Sequence, residues 1–363
     1  MSSIKFKKCI KTLKPYAPGK PINEVKRELG LESIIKMASN ENALGPSPCA
    51  LKAMQKALTT MHYYPEGGCF YLKEKLASKL NVDESNVLFG NGSNEIIEFI
   101  VKGFLSEGGE LLSSEYAFAV YPILTQAYGG KYVSVPMKDY RFDLEAIASA
   151  INKNTQIIFI ANPNNPTGTM VTRDEWERFL SKVPKDVVVC LDEAYFEFVA
   201  RDDYPNGIDY MDNGNVVILR TFSKLYGLAG LRIGYAISSK EIIDYFNRIR
   251  QPFNVNALAQ CAARAALDDV EHIDKTIAMV QDGKKFLYAA LDKMNIAYIP
   301  SETNFVLLEV PDSEEMFQEF LKQGIIVRGM KSYGLDKYIR VTIGAMEENE
   351  KFISLLGKIL KVE

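Results

Sequence analysis

Val216-Val217-Ile218-Leu219-Arg220-Thr221-Phe222-Ser223-Lys224-Leu225-Tyr226-Gly227-Leu228-Ala229-Gly230-Leu231-Arg232 is the stretch on which the reading of this chain turns. Its opening apolar run, 216–219, predicts a buried strand of a parallel sheet. A lysine that follows such a strand stands at the carboxyl edge of the sheet, where open α/β folds place their ligands. Two hydroxyls, Thr221 and Ser223, precede Lys224, and Arg232 follows it. One amine with hydroxyls and a guanidinium nearby suits a covalent imine to a phosphorylated aldehyde. A lysine considered alone is more often a solvated loop residue, because lysine is mostly exposed. The rest of the chain has to decide.

Outward from this stretch, strands and helices alternate. Short apolar runs at 86–89, 133–135, 157–161, 187–191 and 232–237 predict further strands. Helical periodicity is found at 48–61, 71–80, 96–104, 144–151, 173–181 and 241–248. Alternation of this kind predicts an α/β fold with a mostly parallel sheet and helices on both faces. From Val270 the pattern changes. Val270, Ile273, Ile277, Val280, Leu287, Leu291 and Met294 make one apolar stripe, interrupted at Gly283-Lys284, which predicts a long helix with a kink there. Short strands at 296–299, 305–308, 325–327 and 338–341, with helices at 314–323 and 347–360, predict a second, smaller α+β domain. The expected division is a large domain at 46–262, and a small domain at 263–363 completed by an N-terminal arm, 1–45. That arm holds a Pro/Gly run at 14–21 and one short helix at 22–29.

Composition narrows the chemistry. The 363 residues carry a net charge of −3, which leaves no electrostatic footprint for nucleic acid or a membrane surface. The basic start lacks an apolar core of signal-peptide length. Five cysteines without a CxxC read as isolated thiols of a reducing compartment, so the expected address is cytoplasmic. The two histidines, His62 and His272, have no partners at metal-ligand spacing, so no metal site is expected. No GxSxG elbow is present. If the chain is an enzyme, an organic cofactor is the expected source of its chemistry.

Several strand ends carry suitable groups. The strand at 157–161 runs into Asn162-Pro163-Asn164-Asn165-Pro166-Thr167-Gly168, a turn whose amides can point into a site. The strand at 187–191 ends in Asp192-Glu193-Ala194-Tyr195. After the strand at 86–89 comes Gly90-Asn91-Gly92-Ser93, with Ser93 expected as the N-cap of the next helix, a layout that presents backbone N–H groups to an anion. It has neither P-loop nor dinucleotide spacing.

Asn165-Pro-Thr-Gly, Asp192-Glu-Ala-Tyr195, Ser223-Lys224 and Arg232, in this order, resemble the fold-type I pyridoxal-phosphate aminotransferases over almost the whole chain. Leu13-Lys14-Pro15-Tyr16, Ser39-Asn40-Glu41-Asn42, Tyr64-Pro65-Glu66-Gly67, Phe118-Ala119-Val120-Tyr121 and Val327-Arg328-Gly329 are similar to the histidinol-phosphate branch of that family. The resemblance implies the following roles. Lys224 is the Schiff-base lysine and proton shuttle. Asp192 pairs with the ring nitrogen, and Asn165 and Tyr195 hydrogen-bond the phenolic oxygen. Gly92, Ser93, Thr221, Ser223 and Arg232 hold the phosphate, joined by Tyr64 of a second copy in a homodimer with shared sites. Phe118 stacks on the ring, where many relatives have tyrosine. Arg340 takes the substrate anion, with Arg328, Tyr16 and Asn304 as further pocket residues. The implied reaction interconverts histidinol phosphate plus 2-oxoglutarate and imidazole acetol phosphate plus glutamate, in histidine biosynthesis. An aromatic or broad-specificity aminotransferase and a pyridoxal-phosphate-dependent threonine-phosphate decarboxylase are the alternatives.

Overall fold

A computed structural model describes residues 5–16 and 19–362. The first four residues and the pair at 17–18, inside the Pro/Gly run, lie outside the described residues. Seven strands form the large sheet: β1 (Val87–Gly90), β2 (Glu110–Ser114), β3 (Lys131–Val135), β4 (Thr155–Ala161), β5 (Val188–Asp192), β6 (Val216–Thr221) and β7 (Gly234–Ser238). Their spatial order is β1-β7-β6-β5-β4-β2-β3. All neighbours run parallel except β7, which is antiparallel to both β1 and β6. Every residue of β5 and of β6 is buried, as a sheet covered on both faces requires.

Register places the site. Ala161 pairs with Asp192, and Asp192 pairs with Leu219. The segments that follow β4, β5 and β6 therefore leave the sheet side by side at one edge.

Four short strands make the small sheet: β8 (Tyr298–Ile299), β9 (Phe305–Glu309), β10 (Arg328–Gly329) and β11 (Tyr338–Thr342), in the antiparallel order β10-β11-β9-β8. The N-terminal segment is tied to this part of the molecule. Ile35–Lys36 pairs parallel with Ile325–Ile326, and the Thr342 N–H donates to Met37 O at 2.8 Å. The run at 325–327 thus joins the arm, where the sequence predicted one uninterrupted small-domain strand.

The structure corrects other expectations. Val270–Lys293 is a single continuous helix. Gly283 lets this helix pack closely: a Cβ there would lie 2.5 Å from Ile343 Cγ2 and 2.8 Å from Asn349 Nδ2. Gly92, at φ +77°, is the N-cap of the helix Ser93–Phe104, and Ser93 is its first residue. Strand β2 and the helices Val120–Ala127 and Ala257–Ala266 were not expected. Glu-Leu-Leu-Ser-Ser has too few apolar residues to announce a strand. The helix Val120–Ala127 contains Pro122 in its first turn, which blurs the pattern although proline is tolerated there. Among the described residues no helix is long and apolar enough to cross a membrane.

Candidate active site

A cavity of about 410 Å³ opens at the shared carboxyl edge of β4, β5 and β6, and residues of β11 and the 38–41 segment line its other wall. Lys224 reaches into it from the loop after β6. Its Nζ donates to Ser39 O at 3.1 Å and stands 5.6 Å from the centre of the Tyr195 ring. Burial, with the Arg340 guanidinium nearby, pushes its pKa down to about 7. A large share of the amine is therefore unprotonated at neutral pH and able to attack a carbonyl.

Asp192 closes β5 and is 6% exposed. One carboxylate oxygen accepts from Tyr121 Oη at 2.7 Å, and the other accepts from the Ala194 N–H at 3.2 Å. Burial raises its pKa to about 6 despite these bonds. A cationic group placed before it would reverse that shift and keep it ionised. Tyr195, also buried, accepts from Asn40 Nδ2 at 2.8 Å through its hydroxyl and packs edge-on against Phe305.

At one end the cavity is an anion cradle. A Cβ built on Gly92 would lie 2.5 Å from Arg232 Nη2, so only glycine lets that guanidinium lie against the turn. The helix Ser93–Phe104 begins there, and its first N–H groups have no intrahelical acceptor. Ser93, Thr221, Ser223 and Arg232 all line this end. The Thr221 hydroxyl oxygen accepts from the Ser223 N–H at 3.0 Å, which fixes the two hydroxyls relative to each other. Phe118 lines the cavity and meets Tyr121 edge-on at 5.8 Å.

At the other end stands Arg340. Its Nη1 donates to Asn165 Oδ1 and its Nη2 to Ala38 O at 2.8 Å, while its buried Nε has no partner among the described residues. Burial holds this guanidinium below its usual pKa. A buried cation with an unused donor beside a cavity is a site for a carboxylate or phosphate. Arg328 faces Arg340 directly across the β10–β11 ladder, which puts both side chains on one face, and both line the cavity. Tyr16, half exposed, lines the same cavity.

Two expected residues lie elsewhere. Asn304 is buried behind the wall, where its Nδ2 donates to Asn40 O at 3.1 Å, so it supports a lining residue instead of being one. Tyr64 is 83% exposed and stacks on Phe253 at 4.8 Å, outside the cavity of its own chain. Conversely, Asn40, Tyr121 and Tyr333 belong to the site or its support but were given no role from sequence. Asn40 has φ +55°, a conformation that turns its amide toward Tyr195. No sequence spacing announces such a contact.

Residues 32–356 match the family model for aminotransferase class I and II. The chain is 46% identical over 359 residues to a histidinol-phosphate aminotransferase of Moorella thermoacetica, covering 98% of this chain and 93% of the relative. It is 48% identical over 354 residues to histidinol-phosphate aminotransferase 2 of Hydrogenovibrio crunogenus, covering 97% and 95%. The crystal structure of histidinol-phosphate aminotransferase from Sinorhizobium meliloti in complex with pyridoxal-5'-phosphate superposes with a TM-score of 0.91 at 27% identity, covering 99% of this chain and 98% of that one. The lysine, aspartate and arginines gathered round one cavity thus sit in a chain that belongs to the class I and II aminotransferases.

Proposed function

We propose that the chain is a pyridoxal 5'-phosphate-dependent aminotransferase that interconverts histidinol phosphate plus 2-oxoglutarate and imidazole acetol phosphate plus glutamate, a step of histidine biosynthesis. The carrying observation is that Lys224, Asp192 and the Arg232 cradle line one end of a cavity whose other end holds two arginines. The Arg340 Nε, without a partner among the described residues, and the close contact between Gly92 and Arg232 both fit a doubly anionic ligand set.

Bound pyridoxal phosphate supplies an electron-withdrawing ring that stabilises charge at the substrate carbon. The chain's residues do the rest. Lys224 would hold the cofactor through its aldehyde and would move the proton at the substrate carbon. Asp192 would keep a proton on the ring nitrogen. Asn165 and Tyr195 would orient the ring through its phenolic oxygen, and Phe118 would cover its face. The Ser93 turn, Thr221, Ser223 and Arg232 bind the cofactor phosphate. Arg340 binds one substrate anion.

The pair of arginines favours the doubly charged substrates. Glutamate has a second carboxylate, and histidinol phosphate has a doubly charged ester. Phenylalanine and tyrosine bring only a single carboxylate to these two guanidinium groups. The kcat/KM of the holoenzyme for histidinol phosphate should exceed that for phenylalanine or tyrosine by at least about 10-fold, the worth of one charge-assisted hydrogen bond. Equal values would move the assignment to an aromatic or broad-specificity enzyme.

Tyr64 shares the segment 58–71 with exposed Leu58, Met61, Tyr63, Phe70 and Tyr71, which suits a surface covered by a second copy. In that homodimer Tyr64 reaches the partner's cofactor phosphate. Sedimentation equilibrium returning the mass of one chain would contradict this. The cysteines at 9, 49, 69, 190 and 261 are all free, which supports a cytoplasmic enzyme. Recovery of the activity outside the cytoplasm on fractionation would overturn that.

A further inference from the structure

We infer that Tyr121 is a positioning residue for the cofactor ring, its phenol fixing Asp192 and its ring edge fixing Phe118. The inference rests on the cofactor reading above. Tyr121 sits in the helix Val120–Ala127 and is wholly buried. Three contacts hold it. Its ring stacks on Phe159 of β4 at 4.4 Å and 17°, and it meets Phe118 edge-on at 5.8 Å and 88°. Its hydroxyl donates to Asp192 Oδ2 at 2.7 Å. A tyrosine stacked on Phe159 and bounded edge-on by Phe118 has little room to swing, which holds its hydroxyl on Asp192.

The chemistry of that bond matters because Asp192 is otherwise poorly supplied. Its other oxygen has only the 3.2 Å bond from the Ala194 N–H. Of the charged groups around it, Glu193 favours its protonation and Lys224 opposes it, while burial already lifts its pKa. The phenol favours the charged form and leaves the remaining lone pairs facing the cavity. Burial, reinforced by the charge of Asp192, keeps the phenol itself protonated far above neutral pH, so it stays a donor. Remove the hydroxyl and Asp192 holds its own proton more tightly, so it supports a protonated ring nitrogen less. The same residue buttresses Phe118, so one side chain sets both the acid at the ring's edge and the aromatic at its face.

The test loads wild type, Tyr121→Phe and Phe159→Leu with ring-15N pyridoxal phosphate and records the ring-nitrogen resonance, with cofactor affinity by fluorescence titration. Circular dichroism of each apoprotein checks the fold. Tyr121→Phe should move the resonance toward the unprotonated pyridine position and weaken cofactor binding by about 10-fold. Phe159→Leu, which loosens the stack but keeps the phenol, should move the resonance much less than Tyr121→Phe does. A wild-type resonance in Tyr121→Phe, or an equal shift in Phe159→Leu, overturns the inference. A wild type that takes up no cofactor sinks the functional reading itself, and the inference with it.

Discussion

Lys224 is a weakened base, and its weakening has a measurable sign. Its folded pKa of about 7 lies below the ordinary 10.5. Between these values the unfolded chain binds a proton that the folded chain does not, so this residue's contribution to stability rises with pH across the window. Below it the folded protein carries the full cost of a half-buried ammonium. Apoprotein with Lys224→Met should therefore be more stable than wild type at pH 6, on the order of 2 kcal/mol once partial exposure is allowed for. The gap should close as the pH approaches 10, measured by urea unfolding of both proteins. A gap that stays constant would mean the lysine is not depressed. That this lysine shares a cavity with Asp192 and Arg232 was legible in sequence because Asp192 and Lys224 stand at strand ends of one inferred sheet, with Arg232 shortly after. Asn304 was misplaced because its type fits a pocket, while its direction is set by a contact across the fold, with Asn40 O. Tyr121 and Asn40 were illegible as partners because each acts across the fold, on Asp192 and Tyr195 respectively.

The strand ends are held by a buried ion pair. Arg220, in β6, is 2% exposed, and Glu193, next to Asp192, is fully buried. Arg220 Nε donates to Glu193 Oε2 at 2.8 Å, its Nη2 donates to Asn206 Oδ1 at 2.8 Å, and its guanidinium lies 3.7 Å over the Phe196 ring. The Gly207 N–H donates to Glu193 Oε1 at 2.8 Å, and the Tyr204 hydroxyl lies 2.6 Å from Asn162 O, beyond the end of β4. This network binds the ends of β4, β5 and β6 to one another, and with them the turn before Asn165, Asp192 and the loop of Lys224. Removing the cation strands a buried carboxylate. Arg220→Met should cost about 3–5 kcal/mol in urea unfolding. A loss below about 1 kcal/mol would show that the pair is not needed. At this scale the sequence announced strands built on a long apolar run, such as 157–161 in β4 and 216–219 in β6, and failed for β2, whose run is only Leu111-Leu112. Strand β2 closes on Ser113 and Ser114, and Ser113 is satisfied by donating to Phe159 O, a bond invisible to periodicity.

The whole molecule explains why the site needs both parts. The large sheet supplies the amine and the acid, and β11 with the 38–41 segment supplies the anion site and the carbonyl that receives Lys224. Alternating strands and helices made the large sheet legible from sequence. The pairing of the arm with Ile325–Ile326 was not, because Ile35–Lys36 is too short to carry a period. The central claim is that this assembly moves an amino group from glutamate onto a bound cofactor. It is tested most directly by adding glutamate to purified holoprotein and following the absorbance of the cofactor bound to Lys224. The account predicts loss of that band with release of one equivalent of 2-oxoglutarate, and its return on adding imidazole acetol phosphate. A band that persists, or one lost with release of carbon dioxide, would contradict it.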